Sequence, residues 1–117
     1  MMNIPDLLAL GPVMPVIVID DSTQAVPLAE ALLSGGIRTI EITLRTPAAL
    51  DAIRAVAANC PDITIGAGTV SRAELARHAR DAGAAFAVSP GTTDDVISSC
   101  NAAGLPLLPG ASTVSEM

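Results

Sequence analysis

Glu41 is the residue of this 117-residue chain best placed to do chemistry. It lies in the run Ile37-Arg38-Thr39-Ile40-Glu41-Ile42-Thr43-Leu44-Arg45, which reads as a β-strand. Side chains alternate along a strand, so Thr39, Glu41 and Thr43 share one face. If that face looks into the interior of a barrel, the carboxylate is costly without partners and its pKa rises. A general acid or base working near neutrality needs that shift. The same residues also allow a plain ion pair between Glu41 and Arg45 at the strand end. Arg45 marks the strand's exit, where its fork of donors can grip a carboxylate or phosphate, or simply face solvent beside a helix start.

Two further segments offer small residues or a stiff turn at the ends of strands. Gly66-Ala67-Gly68-Thr69 permits close backbone approach and adds a hydroxyl, although a tight turn accounts for it equally well. Ser89-Pro90-Gly91 is a rigid turn by composition. Position links them: each ends a strand on the same side as Arg45. His78 falls on a helix flank away from these exits, and Asp94 and Asp95 read as charges at a helix start. Cys60 and Cys100 are isolated, with no second thiol or His at metal-ligand spacing, and read as free thiols. No Cys–His, Ser–His–Asp or metal cluster can be assembled. All six basic residues are Arg (38, 45, 54, 72, 77 and 80), so the chain has no lysine.

The elements that position these residues repeat. Five times an apolar strand runs into a turn rich in Gly, Ser, Thr or charge that starts a helix. Strands are expected over 13–19, 37–43, 63–66, 84–89 and 105–109, the first covered on both faces because it is apolar nearly throughout. A short helix is expected over 4–10. Capping patterns at Asp21/Gln24, Thr46-Pro47, Ser71/Glu74, Thr92 or Thr93, and Thr113/Glu116 predict where the later helices begin. Repetition of one strand–turn–helix unit predicts an α/β fold with a parallel sheet and helices outside it, its site at the strand exits. Eight such units need roughly 200 residues. The expectation is a single domain over 1–117 holding about four βα units and a fifth strand, a partial TIM (β/α)8 barrel interrupted within its fifth helix.

Composition narrows the partners. Phe86 is the one aromatic and the net charge is −6, which argues against nucleic acid. No apolar run approaches the ~20 residues that span a bilayer. The start Met-Met-Asn-Ile-Pro-Asp lacks a basic leader segment, so the cytoplasm is the expected compartment.

The chain resembles the 2-keto-3-deoxy-6-phosphogluconate (KDPG) and 4-hydroxy-2-oxoglutarate aldolase family. The resemblance rests on Gly11 to Ile19 (GPVMPVIVI), Ile40 to Thr46 (IEITLRT), Ile65 to Val70 (IGAGTV), Val88 to Gly91 (VSPG) and Leu107 to Glu116 (LLPGASTVSE). It implies a TIM-barrel class I aldolase, a homotrimer without metal or other cofactor, acting on small keto acids such as pyruvate and KDPG. It implies that Glu41 shuttles protons, that Arg45 holds the substrate carboxylate, and that Thr69 and Pro90 line the pyruvyl pocket. The family's Schiff-base lysine belongs to a sixth strand with no counterpart here, so the chain alone is expected to be inactive. Three other readings stay open: a stand-alone half-barrel that pairs with a partner, the related phosphogalactonate aldolase, and another phosphate-handling barrel enzyme.

Overall fold

A computed structural model describes residues 3–110. Ile4–Leu8 forms a short helix, α1, because Asn3 caps it: the Asn3 side-chain oxygen accepts from the Asp6 N–H at 2.9 Å. Strands and helices then alternate as β1 (Val16–Ile17), α2 (Ala25–Ser34), β2 (Thr39–Thr43), α3 (Ala49–Asn59), β3 (Thr64–Gly68), α4 (Ala73–Ala82), β4 (Phe86–Ser89), α5 (Asp94–Ala103) and β5 (Leu107–Pro109). The five strands pair in chain order, every pair parallel. This is the winding of a (β/α)8 barrel, present here as a partial one.

The two faces of the sheet have different tasks. Ile40, Ile42, Ile65, Ala67 and Ala87 join a buried core with Ala25, Ala29, Ala49, Ala52, Ile53, Val56, Ala76 and Ala79 from the helices. Alanine at the helix positions keeps side chains short and lets branched strand residues interdigitate with them. Gly83 and Gly104 end α4 and α5 in the left-handed conformation, at φ +104° and +71°. Glycine meets this conformation without the steric cost a Cβ would bring.

Several local expectations fail for non-local reasons. The first strand is two residues long, and Val13, Val16 and Val18 are exposed rather than covered. β1 is an edge strand, so nothing among the described residues closes over that side of it. Thr46 does not cap α3; its hydroxyl donates to the Ile19 carbonyl and ties the β2 turn to the end of β1. Ser71 does not cap α4 either, because Arg72 occupies that position with no side-chain cap bond. Asp21 does act as a cap, but of a 3₁₀ turn over Ser22–Gln24 that precedes α2. Thr93, not Thr92, caps α5. The expected Thr113/Glu116 cap and its helix lie outside the described residues.

Across the inner face, register aligns Val16, Glu41, Gly66 and Phe86 in one row. Phe86 is fully buried, and its ring lies across Gly66 so closely that a Cβ there would meet Cε2 and Cζ at 2.2 Å. Glycine at this position is a seat for the ring. Gly66→Ala is expected to cost about 1–3 kcal/mol by overpacking, read by urea unfolding. Phe86→Leu in the same chain should recover part of that loss; unchanged stability in Gly66→Ala would mean the ring is not held there.

Candidate active site

β2, which lies between β1 and β3, is buried along its whole length. Glu41 is held at its backbone by an N–H bond to the Pro15 carbonyl at 2.9 Å, and its side chain turns to the inner face with 7% exposure. In its row it stands between Val16 and Gly66, and Phe86, the next residue in that row, lays its ring across the glycine. The carboxyl group does not stay in the row. A Cβ on Gly68 would lie 2.0 Å from Oε2 and 2.7 Å from Cδ, so the carboxyl rests on Gly68, the last residue of β3. Glu41 thus leans along the sheet toward the strand exits.

Burial pushes the Glu41 carboxyl above the ordinary glutamate value of 4.5, and the positive charge of Arg45 pulls it partly back. The ion pair left open by the sequence does not form: among the described residues Glu41 enters no salt bridge. Arg45 is exposed in the turn after β2. The result is a largely desolvated acid with a cation near enough to act on it through space, not a neutralised pair.

Arg45, Thr69 and Pro90 follow the ends of β2, β3 and β4, which are neighbours in a parallel sheet, so all three lie along one edge. Hydrogen bonds continue the pairing past the strands and hold that edge together. Leu44 N–H donates to the Gly68 carbonyl at 2.9 Å, Val70 N–H to Val88 at 3.0 Å, and Gly110 N–H to Ser89 at 2.9 Å. Thr69, half-buried, has φ +59°, a conformation that a β-branched residue rarely adopts. Strain of this kind persists where surrounding structure enforces it, and it gathers at functional sites. Pro90 is exposed at the rim.

The remaining polar candidates lie elsewhere. His78 is exposed on α4, Asp94 and Asp95 are exposed in the first turn of α5, and Cys60 and Cys100 are buried free thiols. Among the described residues no three His, Cys, Asp or Glu side chains gather where they could hold a metal ion, and no helix is long and apolar enough to cross a membrane.

Sequence reasoning had missed what the two glycines of Gly66-Ala67-Gly68 do. Their spacing of two puts both on one face, a signal that was available. The occupants of those places, Phe86 and Glu41, come from the strands on either side. The enforced left-handed turn at Thr69 left no mark in the residue type at all.

Residues 4–117 match the model of the family described as KDPG and KHG aldolase. The chain is 53% identical over 112 residues to the 2-dehydro-3-deoxy-phosphogluconate aldolase of Pseudoalteromonas atlantica, an overlap of 96% of this chain and 52% of that protein. It is similar to the crystal structure of 2-keto-3-deoxy-6-phosphogluconate aldolase of Zymomonas mobilis ZM4 with 3-phosphoglycerate. There the TM-score is 0.92 at 44% identity, over 97% of this chain and 54% of that one. It is similar also to the KDPG aldolase of Legionella pneumophila, solved with pyruvate captured at low pH as a covalent carbinolamine intermediate. That likeness has a TM-score of 0.90 at 45% identity, over 95% of this chain and 54% of that one. The chain spans about half the length of the relatives it matches.

A raised carboxyl pKa has a signed consequence for stability. The folded chain keeps the Glu41 proton at a pH where the unfolded chain has released it, so this contribution is full below 4.5 and is lost as pH rises through the raised value. Glu41→Gln removes the titration. The variant is expected to resist urea better than the parent at neutral pH, with the advantage vanishing below pH 4.5; a difference that does not change with pH would contradict the assignment.

Proposed function

This chain belongs to the KDPG and KHG aldolase family, and on that premise we propose that its strand exits carry the proton-transferring and carboxylate-binding part of a class I aldolase centre. The reaction is cleavage of 2-keto-3-deoxy-6-phosphogluconate to pyruvate and glyceraldehyde 3-phosphate, a step of the Entner–Doudoroff pathway in the cytoplasm. An amine condenses with the C2 carbonyl, loses water and leaves an iminium that draws electrons from the bond to be broken. As C3–C4 breaks, Glu41 takes the proton of the C4 hydroxyl, which becomes the aldehyde. The electrons of that bond form an enamine. The protonated Glu41 then returns its proton to C3, and hydrolysis of the imine releases pyruvate.

Each role matches a property of the residue. A carboxyl held between water and apolar surroundings can both accept and return a proton near neutral pH. Arg45, exposed at the rim, grips the substrate carboxylate. Thr69 and Pro90 border the pyruvyl group at the same edge. Since the 117 residues include no lysine, the amine in this proposal comes from sequence outside them, and the chain alone releases no pyruvate. Assembly as a homotrimer is part of the same reading.

The observation that carries the proposal is the Glu41 carboxyl lying on Gly68, turned toward the edge that Arg45, Thr69 and Pro90 share. A chimera in which this chain replaces the matched half of the Pseudoalteromonas protein tests it by pyruvate release. The chimera is expected to cleave KDPG, and borohydride with pyruvate should add the mass of one reduced pyruvate to it. Glu41→Gln should lower kcat by about 10²-fold or more, while Arg45→Ala should act chiefly on KM. A Glu41→Gln chimera with undiminished kcat would sink the assignment.

A further inference from the structure

β2 turns three polar side chains to the inner face, and two of them are accounted for. Thr39 donates its hydroxyl to the Val13 carbonyl at 3.4 Å, and Glu41 lies on Gly68. Thr43 is not accounted for. It is 0% exposed, and its Oγ1 has no hydrogen-bond partner among the described residues. A buried hydroxyl left unpaired is unfavourable, and valine would fill the same space without that cost. A threonine here therefore points to a use for the hydroxyl.

Its place in the sheet supplies the use. Thr43 pairs in register with Gly68, the residue against which the Glu41 carboxyl rests. Threonine and carboxyl therefore occupy neighbouring places at the exit end of one face. The other residues in the row of Glu41, and the glycine its carboxyl rests on, carry no donor side chain. Val16 comes from β1, Gly66 and Gly68 from β3, and Phe86 from β4, while the charge acting on it is that of Arg45.

We propose that Thr43 is a positioning residue whose hydroxyl donates to the Glu41 carboxylate through one bridging water and so fixes which carboxyl oxygen faces the strand exits. A proton carrier must present the same oxygen when it accepts and when it returns the proton, and a single fixed donor on the other oxygen achieves that. The purpose of the bond rests on the proposed role of Glu41. The bond itself can be tested without turnover.

The test is a carbon-13 NMR titration of the Glu41 carboxyl in the full chain, in the parent and in Thr43→Val and Thr43→Ser. Removing a donor to the ionised form disfavours that form, so Thr43→Val is expected to move the midpoint to higher pH, and Thr43→Ser to bring it back toward the parent. An unchanged midpoint in Thr43→Val, or a serine variant that behaves like the valine one, overturns the proposal. A measurement on the unsubstituted chain stands even if Thr43→Val fails to fold: the Thr43 side-chain resonances must follow the Glu41 titration, and their indifference to it also overturns the proposal. Neither result depends on cleavage. A Glu41→Gln chimera with full kcat would remove the catalytic role and leave this hydrogen bond standing.

Discussion

The contact between a carboxyl group and the bare backbone of Gly68 organises the inner face of this sheet. Without a Cβ at that position, Glu41 can leave its own row and lie along the strands. The same absence at Gly66 gives the Phe86 ring its place one row back. One strand with two glycines in alternation therefore sets an apolar ring and an acid side by side. The acid is buried while its carboxyl lies toward the open edge. Low dielectric and correct aim, which a proton carrier needs together, come from one short stretch of backbone.

The outer face serves this arrangement by holding the strands still. Alanine-lined helices pack against Ile40, Ile42, Ile65 and Ala67, which alternate with the inner-facing residues of the same two strands. Any slip of register by one residue would exchange the two sets, burying Glu41 among the helices. The core therefore specifies the site's geometry without touching it. The hydrogen bonds that run past the strand ends, from Leu44, Val70 and Gly110, carry the same register into the turns.

Much of this was legible from residue order alone. The repeat of strand and helix, the common edge of Arg45, Thr69 and Pro90, and the single face shared by Thr39, Glu41 and Thr43 all follow from spacing. What escaped depended on partners far along the chain. Thr46 has every local mark of a helix cap, yet its hydroxyl goes to the carbonyl of Ile19 on another unit. Val13 to Ile19 is apolar enough for a strand buried on both sides, but burial depends on neighbours, and an edge strand lacks one. The choice between an ion pair and a separated acid and cation at Glu41 and Arg45 was likewise beyond local reading. It turns on the direction a side chain takes in three dimensions, which spacing leaves free.

The placement of Phe86 joins two properties that a lineage would otherwise adjust separately. The ring is fully buried on the inner face, in the same row as Glu41, so the hydration of that face and the cohesion of the sheet vary together. A smaller side chain would admit solvent, make the acid stronger and loosen the scaffold in one step. A larger one would find no further glycine in its row to lie on. Adaptation to a more acidic or more alkaline cell therefore has to work around this position, through the charges at the rim.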